Sequence, residues 1–348
     1  MMNRSVIPPY ILDRIIGHGS ERQRACARGT LDHVSALRHN PGAPSLAKAQ
    51  VATRLSAEGQ PDRSIHDAQR QMQLPGVLSR REGQAATGDV AVDEAYEALG
   101  ATYAFFWEVL GRHSMDGKGF PLIGTVHYGQ AYENAFWNGE QMVFGDGDGE
   151  IFNRFTIALD VVAHELTHGV IESEAGLAYV NQSGALNESV SDVFGILTKQ
   201  HALQQTAEQS DWIIGAGLLT DAVNGRGLRS MSAPGSAYDD PLLGKDPQPG
   251  HMRDFVETRD DNGGVHINSG IPNRAFHLAS IALGGHAWEK AGRVWYDTLC
   301  DDRLGNDAKF LDFARLCVDN AERRFGEGSP ESRAVAKAWA DVGIGDAP

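Results

Sequence analysis

The sequence predicts an α+β protein in which a β-rich half precedes an α-helical half. Residues 122–128 and 141–145 have the apolar, β-branched composition of strands. After about residue 156, apolar residues recur with helical spacing. Helices are predicted over residues 93–110, with Asp93 as the N-cap, and over 157–170, 186–200 and 273–283. A chain of 348 residues accommodates two or three domains.

Charge separates a basic N-terminal segment from an acidic body. Residues 1–55 hold 8 Lys/Arg and 3 Asp/Glu, whereas the whole chain has a net charge of −15. This balance disfavours a nucleic-acid partner, which requires a basic surface. Opposite charges predict that the segment docks on the body, although a solvated tail fits the charges equally well. Within the segment, residues 10–16 and 45–57 are predicted to form short helices.

The N-terminus and the cysteines bear on cellular location. Prolines and charges interrupt the apolar stretch at residues 6–16, so it does not have the character of a signal peptide. Three cysteines, Cys26, Cys300 and Cys317, predict neither a disulfide framework nor a structural metal site. We expect a protein made in the cytoplasm without a signal peptide that, if secreted or released, leaves by a non-classical route.

The segment His164-Glu165-Leu166-Thr167-His168 is an H-E-x-x-H motif on a predicted helix. Residues four apart share a helix face, so both imidazoles can reach one metal ion while Glu165 faces the reacting water. This arrangement predicts a zinc site with Glu165 as the base. Two incidental histidines on a helix remain the alternative at this point.

A second pair of side chains strengthens the zinc prediction. Glu188 and Asp192 are also four apart on a predicted helix, so both carboxylates share a face. One carboxylate can ligate the metal while the other orients a ligand histidine. Two histidines, one glutamate and a water form an open site, which is the catalytic type of zinc site. The alternative is a pair of acids that stabilise a helix N-terminus.

The chain resembles the thermolysin-like metallopeptidases over roughly residues 60–348. The motifs that carry the resemblance are Asn-Ala-Phe-Trp at 134–137, the 164–168 motif, Gly-Ala-Leu-Asn-Glu-Ser-Val-Ser-Asp at 184–192, Leu-Arg-Ser-Met at 228–231, and Asp-Asn-Gly-Gly-Val-His-Ile-Asn-Ser-Gly at 261–270. The basic head with Pro8-Pro9-Tyr10 resembles the short-propeptide, protealysin-like branch.

The resemblance implies a two-domain thermolysin-like zincin with an N-terminal propeptide. The expected parts are a propeptide at 1–55, a β-rich N-terminal domain with the zinc helix at 56–178, and an α-helical C-terminal domain at 179–348. The zinc helix is expected to lie between the two catalytic domains. A monomer is expected.

The resemblance also implies roles for individual residues. His164, His168 and Glu188 would bind Zn²⁺, with Glu165 as the base. His266 and Tyr179 would donate hydrogen bonds to the oxyanion. Asp261, Asn187 and Asp192 would orient these groups. The implied substrate-binding residues are Asn134 and Ala135 on an edge strand, Arg229 at a substrate carbonyl, and Phe152, Val161 and Leu228 around the pocket for the residue after the scissile bond.

These roles predict a zinc-dependent endopeptidase that cleaves on the N-terminal side of large hydrophobic residues. Its partners would be polypeptide substrates and its own propeptide, which acts as an intramolecular inhibitor and makes the chain a zymogen. A zinc aminopeptidase is one alternative, but the sequence lacks a G-x-M-E-N segment to capture a free amine. A metal-stabilised binding module is another, although it would not need Glu165, Tyr179 and His266 together.

Calcium is expected to be absent from the position where the resembling enzymes have a double calcium site. That site needs several carboxylates. Asp160 and Asp211 retain two of them, whereas the other three positions hold Lys199, Ile213 and Ala216. Arg226 replaces the acid of a further calcium position. We expect the Lys199 ammonium group to pair with Asp160 or Asp211 instead.

Overall fold

The computed structural model describes residues 4–39 and 55–345. Its N-terminal segment has three elements: β1 (Arg4–Ser5), α1 (Pro9–His18) and α2 (Glu21–His39). Helix α1 contains the predicted helix 10–16 and begins with a proline, which is well suited to the first helical turn. The predicted helix 45–57 lies outside the described residues up to 54, and residues 55–57 are not helical.

Helix α2 was not predicted, because its buried stripe is narrow and consists of small or polar residues. Ala27, Thr30 and Val34 are the residues it buries most completely. Between them lie mostly charged and polar side chains, so the apolar spacing is too weak to indicate a helix.

The catalytic part contains a six-stranded sheet that the N-terminal segment extends. The strand order is β1-β5-β6-β4-β2-β3. Strand β1 pairs antiparallel with β5, with Arg4 opposite Trp137. The two predicted strands are confirmed, each slightly shorter than expected. The remaining strands of the sheet are β2 (Arg63–Asp67), β3 (Val77–Arg81), β4 (Leu122–Val126), β5 (Ala135–Trp137) and β6 (Met142–Phe144).

The first helix of the catalytic part, α3 (Val90–Ala104), begins three residues earlier than predicted and continues into a π-helical turn at Phe105–Val109. The predicted N-cap, Asp93, is wrong. Asp89 is the cap, and its side chain accepts hydrogen bonds from the backbone N–H groups of Ala91 and Val92. The Asp93 carboxylate instead pairs with Arg80 and closes the preceding turn.

Two buried helices, α4 (Leu159–Ser173) and α5 (Asn181–Leu203), form the centre of the molecule. They include the predicted helices 157–170 and 186–200 almost completely. Five further helices follow later in the described part of the chain: α6 (Asp261–Asn268), α7 (Gly270–Leu283), α8 (Ala291–Leu299), α9 (Phe310–Phe325) and α10 (Pro330–Asp341). Two short strand pairs, β7 (Ile213–Ile214) with β8 (Arg229–Ser230) and β9 (Asp239–Asp240) with β10 (Gly244–Lys245), precede them.

Aromatic stacking in the helical part and the state of the cysteines complete the description of the fold. Trp295 on α8 stacks on Trp339 of α10, with ring centroids 5.7 Å apart. All three cysteines are free thiols. Among the described helices, none combines the length and the apolar character that crossing a membrane would require.

Candidate metal centre and substrate cleft

Helices α4 and α5 bring His164, His168 and Glu188 together. Their candidate ligand atoms all lie within 4.8 Å of one another, and all three side chains are completely buried. His164 Nε2 is 3.4 Å from Glu188 Oε2, and His168 Nε2 is 3.4 Å from Glu188 Oε1. The four-residue spacing on each helix therefore directs the predicted side chains to one point.

The three side chains fit a zinc ion. A tetrahedral zinc ion with bonds of about 2.0–2.2 Å holds neighbouring donor atoms roughly 3.4 Å apart, which matches the spacing found here. His164 Nε2 and Glu188 Oε2 are buried and make no hydrogen bond to a described residue. Buried polar atoms of this kind normally have a partner, and a cation would supply it. Within the described residues the cluster has three members, the number found in open catalytic sites.

Polar neighbours orient the two histidines. His164 Nδ1 lies 2.8 Å from Asp192 Oδ1, and His168 Nδ1 lies 2.8 Å from Asn187 Oδ1. In each ring the Nδ1–H can donate to this oxygen, which leaves the Nε2 lone pair directed at the metal position. The structure thus places Asn187 and Asp192 beside the ligands, as the resemblance implied.

Asp192 is itself held by Arg229. The Arg229 guanidinium donates to both Asp192 oxygens at 2.7 and 2.8 Å, and both side chains are buried. Burial disfavours the charged carboxylate, but Arg229 and His164 outweigh it and lower the pKa of Asp192 to about 2. Asp192 therefore remains an acceptor for His164 across the neutral pH range.

Glu165 lies next to the metal position and is completely buried. Its Oε2 accepts a hydrogen bond from the backbone N–H of Trp137 at 3.1 Å, while Oε1 has no hydrogen bond to a described residue. Burial raises the pKa of the Glu165 carboxyl to about 8, although His164 opposes the shift. A divalent cation beside it would favour the carboxylate. One oxygen is thus fixed and the other is available to exchange a proton.

Two hydrogen-bond donors lie on the other side of the metal position. The Tyr179 hydroxyl donates to Glu188 and is 3.2 Å from His266 Nε2. His266 Nδ1 is 2.6 Å from Asp261 Oδ1. Burial lowers the pKa of His266, but Asp261 and Glu188 outweigh it, and the net shift is upward. A raised pKa favours a protonated ring that can donate from Nε2.

The turn that carries Asp261 has an unusual backbone. Asp261, Asn262, Gly263 and Gly264 all have positive φ angles, between 51° and 86°. The first two are not glycines, so their conformation costs about 1 kcal/mol or more each. The turn brings the Asp261 carboxylate back onto both the Nδ1 and the backbone N–H of His266. The strain thus coincides with a contact that positions His266.

The N-terminal segment occupies the cleft as an extended chain. The Val6 N–H donates to the Ala135 carbonyl at 3.2 Å, and the Ile7 N–H donates to Asn134 Oδ1 at 3.0 Å. Arg229 Nη1 donates to the Val6 carbonyl at 3.4 Å. Three residues for which the resemblance implied substrate contacts therefore contact the backbone of this segment.

The three expected pocket residues lie in the hydrophobic core that also contains part of this segment. Phe152, Val161 and Leu228 are at most 2% exposed and belong to one hydrophobic cluster. The same cluster includes Val6 and Ile7, which are also buried.

Two contacts of the site were missed from the sequence. The Trp137 contact uses its backbone N–H, which no side-chain pattern reveals. Asn273 Nδ2 donates to Asp192 Oδ2 at 2.8 Å and is completely buried. Asn273 begins a stretch correctly predicted as helical, but nothing in its neighbours distinguishes it from an ordinary helix-terminal Asn.

The three parts of the chain match known families. The protealysin propeptide family matches residues 4–45, the thermolysin metallopeptidase catalytic domain matches 50–172, and the thermolysin metallopeptidase α-helical domain matches 175–344. The "Extracellular metalloprotease" of Pectobacterium carotovorum subsp. carotovorum is 63% identical, covering 98% of this chain and 96% of that protein. "Thermolysin" of Alicyclobacillus acidocaldarius subsp. acidocaldarius is 39% identical, covering 80% of this chain and 50% of that protein.

A solved structure shows the same arrangement. The precursor of protealysin, a metalloproteinase from Serratia proteamaculans, has a TM-score of 0.91 and 60% sequence identity, covering 98% of this chain and 100% of that chain. Fold and site together define a metalloprotease made as a precursor. The chain belongs to the thermolysin family of zinc-dependent metalloendopeptidases, and its N-terminal segment is a propeptide of the protealysin type. The predicted fold class and the predicted enzyme class are confirmed.

Proposed function

We propose that this zymogen, once activated, hydrolyses peptide bonds on the N-terminal side of large hydrophobic residues. The observation that carries the proposal is the backbone of Val6 and Ile7, which hydrogen-bonds to Ala135 and Asn134 beside the zinc cluster. A substrate would add to the edge strand in the same way. Its residue at the Val6 position, whose carbonyl accepts a hydrogen bond from Arg229, would place an apolar side chain in the pocket proposed for Phe152, Val161 and Leu228.

In the proposed mechanism, His164, His168 and Glu188 would hold a zinc ion, which would supply Lewis acidity and would lower the pKa of water. Glu165 takes the proton of the attacking water on its Oε1 and passes it to the leaving amine. Tyr179 and His266 donate hydrogen bonds to the developing oxyanion. Asp261 keeps His266 in the donating form, and Asp192 and Asn187 keep the ligand histidines oriented.

The contacts of β1 favour an endopeptidase over an aminopeptidase. Arg4 and Ser5 continue the pairing with Trp137 and Phe136 on the N-terminal side of Val6. The edge strand and its neighbour Asn134 thus bind the chain on both sides of Val6. An aminopeptidase site would instead be closed around a free amine on that side.

The docked segment supports the proposal that the propeptide is an intramolecular inhibitor. It fills the backbone positions that a substrate needs, and Pro8 of the Pro8-Pro9-Tyr10 motif is buried. Among the described residues, the ion pair Arg22–Glu150 joins the propeptide to the catalytic part. Backbone and apolar contacts therefore contribute more to the docking of the propeptide than the charge difference does. We propose the domain limits 1–55, 56–178 and 179–348, and a monomer.

The names of the relatives bear on location. The Pectobacterium protein is called extracellular, as is the "Extracellular minor metalloprotease" of Serratia marcescens, which is 47% identical over 97% of this chain and 93% of that protein. We propose that this enzyme also acts outside the cell, after release by a non-classical route.

Cleavage specificity tests the proposed function. After removal of the propeptide, peptides with Leu, Phe or Ile immediately after the scissile bond should be cleaved about 10–200-fold faster than those with Ala, because burying the larger side chain is worth ~1–3 kcal/mol. The measurement is kcat/KM across a peptide library. A preference for Asp, Glu or Gly at that position would refute the proposal.

Two variants sharpen this test. Leu228→Ala should reduce the preference for large residues, because it enlarges the proposed pocket. Leu197→Ala removes the same atoms from α5, where Leu197 faces Gly292 of α8, and should leave the preference unchanged while lowering stability. The intact chain, assayed on the same peptides, should be much slower if the propeptide inhibits.

The predicted ion pair of Lys199 is present, at the position where the resembling enzymes have their double calcium site. Lys199 Nζ lies 3.3 Å from Asp160 Oδ2 and 3.1 Å from Asp211 Oδ1, and it also donates to the Ile213 carbonyl at 3.1 Å. Asp160 is 1% exposed. Burial disfavours the ammonium ion, but Asp160 and Asp211 outweigh it and raise the pKa of Lys199. We propose that this cation takes the place of calcium, and that Ala216 and Arg226 likewise contribute no ligand.

Calcium removal should therefore leave the stability of this enzyme nearly unchanged. The ammonium group already pairs with both remaining acids, so a divalent ion would meet a cation and too few oxygen ligands. The measurement is the melting temperature of the zinc-loaded chain with and without a calcium-selective chelator. Stabilisation by several degrees on adding calcium would show that a calcium site exists after all.

A further inference from the structure

Two carboxyl groups outside the zinc cluster, those of Glu133 and Asp148, are buried on adjacent segments, which the Gly147 N–H joins by donating to the Tyr132 carbonyl at 3.1 Å. Glu133 is completely buried and Asp148 is 6% exposed. Neither oxygen of Glu133, nor Oδ2 of Asp148, has a hydrogen-bond partner among the described residues. Asp148 is also the charged group that acts most strongly on Glu133. Two ionised carboxylates cannot share a dry site at low cost, so one of the two holds a proton.

The proton belongs to Glu133. Asp148 Oδ1 accepts hydrogen bonds from the backbone N–H groups of Glu150, Ile151 and Phe152, at 2.8–3.0 Å. Three such donors favour a carboxylate. Glu133 has none, and burial, followed by the charge of Asp148, raises the pKa of Glu133 to about 9.

Helix α2 of the propeptide covers this pair. Thr30 Oγ1 accepts the backbone N–H of Glu133 at 3.1 Å, and Thr30 and Ala27 are at most 1% exposed. Arg22 Nη2 donates to the backbone carbonyl of Asp148 at 3.2 Å, so α2 contacts both members. Departure of α2 therefore exposes the pair to water.

Among the residues that the structure describes, no ion pair compensates the buried charge of Glu133 and Asp148. The Arg22 guanidinium donates to the Glu150 carboxylate at 2.7 Å instead of to the pair. Cys26 is also on α2, and its pKa is raised by burial and then by Glu133 and Asp148, so it stays a neutral thiol. The proton on Glu133 is thus the element that relieves the repulsion.

We propose that Glu133 and Asp148 form a proton-controlled latch, in which a proton on Glu133 holds helix α2 on the catalytic part and its loss releases the propeptide. The latch concerns regulation and does not depend on the cleavage specificity proposed above. It makes the stability of the zymogen's inhibited state a function of external pH.

The direction in which pH changes the docking of α2 follows from the number of protons bound in the docked and the released states. With α2 docked, Glu133 keeps its proton up to about pH 9, whereas a solvated Glu loses it near 4.5. Docking is therefore strongest at low pH and weakens as pH rises through this interval. One proton released per opening event makes the opening constant rise about tenfold per pH unit.

His33 of α2 also lies at this interface, and its titration affects docking in the opposite sense. Its two ring nitrogens lie 3.1 Å from the hydroxyls of Tyr132 and Tyr128, and burial lowers its pKa from 6.5. His33 is thus mainly neutral in both states above its ordinary pKa. The interval from about pH 6.5 to about pH 8.5 isolates the Glu133 contribution.

Hydrogen exchange in the full-length chain tests the latch. The experiment uses the Glu165→Gln variant, which keeps the chain uncut. The exchange rates of the α2 amides, corrected for intrinsic exchange, give the equilibrium constant for opening of α2. This constant should rise about tenfold per pH unit between about pH 6.5 and about pH 8.5. Adding Glu133→Gln should abolish the slope, because a neutral amide replaces the protonated acid. Amides of α4 report whether the catalytic part remains folded.

Two further variants make the result decisive. Glu150→Gln removes the exposed partner of Arg22 at the same interface, so it should raise opening at every pH and keep the slope. Asp148→Asn can keep the three backbone contacts through its amide oxygen while its NH₂ group donates to Glu133, so it should abolish the slope. A flat profile in the parent, or an unchanged slope in both Glu133→Gln and Asp148→Asn, would overturn the latch. Self-cleavage of the Glu165→Gln chain, seen by mass, would instead contradict the proposed base.

Discussion

Replacing Glu165 with Gln should lower kcat by about 10²–10⁴-fold while zinc stays bound. Glutamine keeps the shape of the side chain, and its amide oxygen can still accept the Trp137 N–H that now binds Glu165 Oε2. It cannot take a proton from the attacking water at neutral pH. The zinc ligands His164, His168 and Glu188 are unchanged, so metal affinity should be preserved.

Measurement of kcat together with zinc content on the activated enzyme checks this expectation. Glu172→Gln provides a matched control, because Glu172 is on the same helix but exposed, and its replacement should leave both quantities unchanged. Folding should not suffer in the Glu165 variant, since it replaces a buried ionisable group with a neutral one. Turnover close to wild type in a zinc-loaded Glu165→Gln enzyme is incompatible with the mechanism.

The zinc cluster was predictable because helical periodicity fixes it locally. His164 and His168, and separately Glu188 and Asp192, are four residues apart, and that spacing alone places each pair on one helix face. The sequence did not show that the two faces meet. That step came from the family resemblance, and it depends on the packing of α4 against α5.

Lys199 shows that charge counting can predict a contact across distant segments. Compared with the resembling enzymes, this chain has lost acids and gained a cation near Asp160 and Asp211. The two remaining carboxylates therefore needed another positive partner, and the structure has the Lys199 ammonium group between them. The prediction succeeded because a buried carboxylate needs a partner wherever the chain places it.

Other features were not predictable, because tertiary contacts decide them. Helix α2 has too few apolar residues to indicate a helix by itself, and it is stabilised by contacts with the catalytic part. The choice of Asp89 over Asp93 as N-cap depends on which acid Arg80 pairs with. The shared burial of Glu133 and Asp148 joins residues from separate segments, and neither has a distinctive sequence neighbourhood.

Removal of zinc should abolish activity completely, which is the other large effect expected. Without the cation, the side chains of His164, His168 and Glu188 form only a buried polar cluster, and nothing polarises the substrate carbonyl or activates water. The folded structure should largely persist, because α4 and α5 are buried by their apolar residues as well.

The most direct test of the account is a zinc titration of the activated enzyme. Zinc is removed with a chelator, and cleavage of an unfolded protein is followed as zinc is returned. The account predicts no cleavage in the metal-free enzyme and full recovery at one zinc per chain, with no recovery in a Glu188→Gln variant. Cleavage that survives complete removal of zinc, or a chain that binds one zinc at this site without regaining activity, would contradict it.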